Sequence, residues 1–421
     1  MKFTKLFFLP IITGLLFLIN LSSFQHSRLR ITPEGNIGMG NPAAVYCKEL
    51  GYEFSNVKDK KGDRGICQFP DGIQCDGWEF VQGECGQGYS QCAQLGLDTR
   101  IKSDGKNPFS RTYAVCVDEN DKRIGTATEL IGLTEKSLGC SSSRTEKELQ
   151  NETNEIVKSS PDWIGDPPAS FDWRDNNGDW TTPIKNQGSC GSCWAFAAVG
   201  ATEAAINISR GDPAYDLNLS EQYLVTDFLP WHDCCGGNTG SALSKIRDEG
   251  IPDDDCLTYV DGGGCSCGGD TCDSNCAFND SDECSDRRIN DRCSDWSSRL
   301  VDIETWGYVD NSSRVNIQQT LVTYGPLPAS VIINSGSPFW DGDVYRCEDD
   351  SVSVNHGVVI VGYDDSGGYW IVRNSWGSTW GNGGYYKVGY GECKIEEYLR
   401  YVTDNQPPDA PSSPEPANGS S

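Results

Sequence analysis

Between Cys193 and Ile206 the chain reads Cys-Trp-Ala-Phe-Ala-Ala-Val-Gly-Ala-Thr-Glu-Ala-Ala-Ile, with no proline and almost no polar side chain. Such a run predicts a largely buried helix, and the rest of the chain makes sense as its support. Cys193 opens it. Unpaired N–H groups and the positive end of the helix dipole favour a thiolate over a thiol there, which makes Cys193 the candidate nucleophile. Gly188, Ser189, Gly191 and Ser192 leave room on the approach side for another backbone, and Gln187 offers a side-chain amide to an oxyanion. A second reading pairs Cys190 with Cys193 as a C-x-x-C redox or metal motif, which would also open a helix. Neither thiol exchange nor zinc binding needs an amide six residues upstream.

At 421 residues the chain exceeds one ordinary domain, so an enzyme core and an accessory module are expected. A formal net charge of -27 and a pI near 4.4 argue against nucleic acid and anionic membrane surfaces as partners, since both would repel it. Lys2 and Lys5 precede an apolar run from Leu6 to Leu21, broken only by Pro10, Thr13, Gly14 and Asn20 and followed by Ser22 and Ser23. This reads as an export signal over residues 1–23, with an uncleaved anchor as the alternative. Twenty cysteines in an exported chain mean disulfides before metals. If Cys193 stays reduced the remainder is odd, so a further cysteine is unpaired or bridged to another chain; Cys140, alone beside Ser141–Ser143, is the candidate.

From Asn41 to Cys92 the turn-rich spacing of Cys47, Cys67, Cys75 and Cys85 with Trp78 and Phe80 suits a small cross-linked module. Residues 93–140 form a β-rich extension, with a hairpin predicted between Tyr113 and Leu133 and Cys92 and Cys116 available to bridge it to the module. Residues 141–167 read as a linker or short propeptide: Glu146–Lys158 can form one short helix, and Pro161, Pro167 and Pro168 close it. Past Asp404, residues 405–421 are rich in Pro, Ser, Asn and Gly and are expected to be disordered.

Asn41 to Cys85 resembles a short cysteine-rich domain of unknown function found in exported bacterial proteins, sometimes labelled a hemolysin without an established activity. No amphipathic basic stretch supports lysis, and a structural or binding module is the expectation. The Gln187–Ala197 stretch, with its Cys-Gly-Ser-Cys-Trp core, resembles papain-like cysteine proteases. The likeness covers most of Pro168 to Thr403, beginning with Ala169-Ser170-Phe171-Asp172-Trp173-Arg174. It implies Gln187 as oxyanion donor, Cys193 as nucleophile and Cys190 as a half-cystine paired with Cys234; Cys347 and Cys393 are likewise taken as disulfide cysteines. It also implies that Gly236 and Gly237 form the cleft wall along which an extended substrate backbone lies, where a side chain would block the approach. No long helical propeptide of the family's usual pattern is visible, so the short helix, or the whole region 41–166, takes that role, or none does.

A thiolate needs a base, and only His26, His232 and His356 are available. His26 lies beside the signal and His232 in a loop before Cys234. His356 opens the apolar run Gly357–Tyr363, where a sheet can hold its ring, and elimination and resemblance select it together. Asn374 is the family's match for the residue that orients the ring, with Trp376 shielding the bond. These residues lie 163 and 181 positions beyond Cys193, against about 130–150 for the family. A cysteine-rich insertion over 261–295 accounts for the excess; a zinc site there is the alternative, without repeated C-x-x-C pairs or a histidine to support it. By resemblance Asn238, Thr239, Ala329, Ser330 and Gly357 line the main specificity pocket.

Helices are expected around Cys193–Ile206, after Leu219–Ser220 and over Ser241–Glu249. Strands are expected over Val301–Val309, Leu327–Asn334, Gly357–Tyr363, Tyr369–Arg373, Tyr385–Val388 and Tyr398–Thr403. Helices first and strands afterwards predict an α+β enzyme with a papain-like two-lobe fold, a helical lobe plus a β-barrel-like lobe over 168–404, preceded by the disulfide-rich module. The expected protein is a monomeric, exported endopeptidase acting on proteins or peptides with no cofactor and no metal, and with a surface ligand of the N-terminal module left open. Endopeptidase action is favoured because the acidic insertion has no histidine to bind a substrate's C-terminus. The alternatives are a surface or matrix binding protein on a protease-like scaffold, and a thiol oxidoreductase.

Overall fold

The computed structural model describes residues 37–133, 165–215, 217–226, 234, 236–261, 291–333, 338–347 and 351–404. The expected signal, Cys140, the 146–158 helix, most of the insertion, His26, His232 and the 405–421 tail lie outside them. The described residues belong to one compact unit.

The central helix runs Cys193–Arg210 and ends on Gly211 at φ 64°, the left-handed geometry that glycine adopts without strain. Every residue from Cys193 to Ile208 is buried, so the sequence that lacks a polar face has no solvent face to supply. One side packs against the strand His356–Asp364 and another against the helix Thr239–Glu249. That second helix starts two residues before the expected Ser241, because the Asn238 side-chain oxygen accepts from the N–H groups of Gly240 and Ser241. A shorter helix, Glu221–Val225, is capped by Ser220 as the sequence indicates.

The main sheet has seven strands among the described residues. Its order is 338–341, 344–347, 385–389, 369–373, 356–364 and 170–172, with 327–331 also paired to 356–364. All pairs are antiparallel except 344–347 with 385–389. Strand 356–364 is buried from His356 to Tyr363, which explains a run that is apolar throughout where a half-exposed strand would alternate. Of the expected 301–309 strand only Thr305–Tyr308 forms, pairing with Arg400–Thr403 in a separate two-stranded sheet. A helix the periodicity did not show, Arg314–Tyr324, lies among the strands, capped by Ser313; its valines and threonines read as strand formers.

The N-terminal module opens with the helix Pro42–Glu49, capped by Asn41. A three-stranded sheet (53–59, 62–68, 74–76), the helix Gly77–Gln82 and a second three-stranded sheet (98–102, 113–117, 123–126) follow. The predicted hairpin is the 113–117 and 123–126 pair. Disulfides Cys47–Cys67, Cys75–Cys85 and Cys92–Cys116 tie these pieces around Tyr46, Phe69 and Phe80, a core too small to hold alone. In the larger domain Cys190–Cys234 and Cys347–Cys393 are formed, and Cys256–Cys293 closes the base of the insertion. Cys193 is a buried thiol outside these bridges.

Beneath the central helix Lys185 is held by two buried carboxylates, Glu203 and Glu221, each at 2.8 Å. Burial opposes the Lys185 charge, but the two carboxylates overcome it and hold its pKa above the ordinary value. Burial pushes the Glu221 carboxyl up, reinforced by the charge on Glu203 and only partly offset by Lys185. Lys185→Met leaves the buried Glu203 and Glu221 side chains without their cation, and is expected to cost about 3–5 kcal/mol in denaturant unfolding. The loss should shrink as pH falls and the raised Glu221 carboxyl takes up a proton; a loss that is small and independent of pH would contradict the arrangement.

Candidate active site

Cys193 is the first residue of the central helix, and Ser192 before it spends its hydroxyl on the phenol of Tyr259 at 2.7 Å. The loop leading in is fixed by the Cys190–Cys234 disulfide and by the Gly191 N–H bonding to the Cys234 carbonyl at 2.8 Å. A thiol-exchange pair of Cys190 with Cys193 is therefore not available, because Cys190 is already bridged. The helix opening lies against the start of strand 356–364: a Cβ at Gly357 would come within 2.9 Å of the Cys193 carbonyl oxygen. Only glycine allows that approach, and it places the residue before it, His356, beside the helix terminus.

His356 is fully buried. Its Nε2 and the Asn374 side-chain oxygen are 2.8 Å apart, and the Ser375 N–H also donates to that oxygen at 2.8 Å. The ring Nε2 is thus the protonated nitrogen, leaving Nδ1 with its lone pair; Nδ1 is buried and makes no hydrogen bond among the described residues. The Trp376 ring lies 4.8 Å from the imidazole, centroid to centroid, and keeps water from the His356–Asn374 bond. Burial lowers the His356 pKa to about 4, with the Asn374 bond working weakly in the other direction.

Gln187 lies at the start of the same loop, against Ser375. Its backbone N–H donates to the Ser375 carbonyl, and its side-chain oxygen accepts from the Ser375 hydroxyl at 2.7 Å. That second bond aims Nε2 at two carbonyl oxygens, those of Cys190 at 2.7 Å and Met39 at 2.8 Å. Met39 belongs to the N-terminal segment, so the amide proposed for an oxyanion already holds the carbonyl oxygen of a chain lying in the cleft.

The glycine wall is occupied in the same way. Gly237 exchanges two backbone hydrogen bonds of 2.9 Å with Ile37 as an antiparallel bridge, and Gly236 packs under it. Ala329 and Ser330 lie in the strand paired with 356–364, opposite Val358 and Gly357. Asn238 and Thr239 are buried, and the Asn238 oxygen caps the 239–249 helix, so it contributes a helix terminus before any pocket lining. Sequence reasoning missed Ser375, which orients Gln187, and Tyr259, whose phenol donates to the Gln187 carbonyl at 2.8 Å. Ser375 follows Asn374 directly, but nothing in the pattern ties it to a residue 188 positions away.

The model of the papain family cysteine proteases matches residues 167–403, and one described as a domain of unknown function (DUF333) matches residues 38–84. The chain is 32% identical over 270 residues to a probable cysteine protease, RD21C, of Arabidopsis thaliana, covering 60% of this chain and 52% of that protein. It is also 32% identical over 245 residues to a cathepsin B-like protein, CP1, of Giardia intestinalis (56% of this chain, 73% of the relative), and 31% identical over 236 residues to mouse pro-cathepsin H (54% and 62%). The chain belongs to the papain family of cysteine proteases. It spans about half the length of the Arabidopsis relative.

With its pKa lowered, His356 is neutral in this fold, and its contribution to stability is lost as pH falls from the ordinary histidine range, about 6.5, toward 4. In the full chain the imidazole should titrate below about 5 by NMR. A midpoint above 6 would contradict a buried, neutral ring.

Proposed function

We propose that the chain is an exported cysteine endopeptidase that hydrolyses peptide bonds through a thioester on Cys193. The observation that carries this reading is the His356–Asn374 pair, buried at the start of the strand that packs on the Cys193 helix terminus, with the Gln187 amide already seated on a carbonyl oxygen. In this mechanism His356 Nδ1 takes the Cys193 proton, and the thiolate attacks the carbonyl carbon of the substrate. The oxygen becomes negative and is received by Gln187 Nε2. The imidazolium then protonates the leaving amine, the C–N bond breaks, and the thioester remains. Water, deprotonated by His356, attacks the thioester and releases the acid and the thiol. Asn374 keeps the ring in the tautomer and orientation both halves require, and Trp376 keeps its hydrogen bond dry.

Gly236, Gly237, Gly357, Ala329 and Ser330 are the residues that support binding of an extended protein or peptide substrate, with Asn238 and Thr239 behind them. Six disulfides among the described residues support an oxidising, extracytoplasmic location. Among the described residues no helix is long and apolar enough to cross a membrane. A monomer with no cofactor suffices for the chemistry, since all the groups come from one chain.

Cys193→Ala is expected to abolish hydrolysis and labelling by an epoxide probe while the protein stays folded. Gln187→Ala is expected to lower turnover by about 10²–10³, the usual range for one oxyanion donor. Wild-type rates in Cys193→Ala would remove the mechanism. For endopeptidase action, amidating a substrate's C-terminus should leave cleavage of an internal bond unchanged; release of dipeptides from free C-termini only would point to an exopeptidase.

A further inference from the structure

Residues 37–41, Ile-Gly-Met-Gly-Asn, lie in the cleft just described, although nothing in their sequence marks them for it. Ile37 pairs with Gly237 through both backbone groups, and its Cδ1 would be 3.2 Å from a Cβ at Gly357. The Met39 carbonyl takes the Gln187 amide, and the Asn41 N–H donates to the Gly188 carbonyl at 2.8 Å. Ile37 and Met39 are both buried. The two glycines are what make the fit possible: a Cβ at Gly38 would stand 2.5 Å from Gly236 Cα and 2.9 Å from the Gly191 oxygen, and one at Gly40 would stand 2.5 Å from the Ser189 oxygen. With the segment in place Cys193 and His356 are fully buried.

The module behind the segment is anchored to the larger domain on either side of the cleft. The Asn41 side-chain amide donates to Asn186 Oδ1 at 2.9 Å, while its oxygen caps the helix that follows. From that helix Lys48 reaches Asp261 at 2.8 Å, and from the first sheet Lys58 reaches Asp254 at 2.9 Å. Trp78 places its ring beside Trp376 and Trp380 and donates to the Trp376 carbonyl at 3.1 Å. The residue that shields the His356–Asn374 bond is thereby also the residue the module grips.

We propose that the N-terminal module, whose sequence family has no assigned function, is a built-in inhibitor of the protease, and that Ile37–Asn41 is its inhibitory edge. It works by occupation: the backbone of Ile37 takes the glycine wall, the Met39 carbonyl takes the oxyanion donor, and the disulfide-tied body keeps them there without a long helical propeptide. Activation then requires that the segment leave the cleft. This inference rests on the protease reading, and its test separates the two.

In the full chain, Gly38→Val and Gly40→Val drive a side chain into backbone that cannot yield. Two rates are compared with wild type: carbamidomethylation of Cys193 by iodoacetamide, read by peptide mass, and hydrolysis of a short peptide amide. Because reactivity scales with the fraction of open chains, both variants should label at Cys193 about tenfold faster or more, with hydrolysis rising in parallel. Equal labelling in the folded wild type and variants would overturn the inhibitor assignment, whatever the hydrolysis rate. Faster labelling with no hydrolysis in any sample would uphold it and remove the protease reading instead. Tryptophan fluorescence reports whether each variant is folded. Should neither be, Trp78→Ala, which loosens the module from outside the cleft, carries the same expectation and the same contrary result.

Discussion

The absence of a side chain at position 357 brings the two halves of the catalytic domain into register. One half presents a helix terminus and the other the start of a strand, and they meet where a Cβ would stand 2.9 Å from the Cys193 carbonyl oxygen. Van der Waals contact at that distance is repulsive for any residue but glycine, so the approach of the helix terminus to the strand that carries His356 is set by backbone packing and not by the reactive groups themselves. The reactive groups then need only be oriented, by Asn374 for His356 and by Ser375 for Gln187. Both orienting residues lie on one short turn after strand 369–373, so a single backbone placement serves two functions.

Electrostatics divides the site in two. Under the central helix Lys185 meets two buried carboxylates, a charged cluster that is worth its desolvation only while all three members are present. Above it the imidazole sits beside Trp376 in a dry environment that disfavours its charged form. When the cleft is filled by residues 37–41 this dryness is greatest. On the inhibitor proposal, departure of the segment admits water and lowers the desolvation penalty on the imidazolium. Occupation of the cleft and suppression of the imidazolium are thus two aspects of the same burial.

Much of the site was legible because its parts are local. A buried helix with a cysteine at its first residue, a glycine pair, a histidine before an apolar strand and an asparagine ending the next strand each carry their own short pattern. The Cys190–Cys234 pairing came from resemblance, and the structure forms it. What was not legible depends on contacts distant in sequence. The Ile37–Asn41 segment falls between the expected signal and the expected start of the module, and Gly38 and Gly40 look there like ordinary linker glycines; their meaning comes from Gly236, Gly191 and Ser189 far down the chain. The Arg314–Tyr324 helix was hidden by β-branched residues that tertiary packing overrides. Asn238, expected to line a pocket, also caps a helix. Local pattern reports chemistry and capping well, and reports poorly which surface comes to lie against which.

The most direct test of the account is the mass of the Cys193 peptide taken while hydrolysis of a peptide ester is under way. Quenched in acid and digested, it should carry the acyl half of the substrate, lost on hydroxylamine treatment as a thioester requires, and the adduct should be absent from His356→Ala. Turnover with Cys193 unmodified throughout, or with the acyl group on another residue, would contradict it.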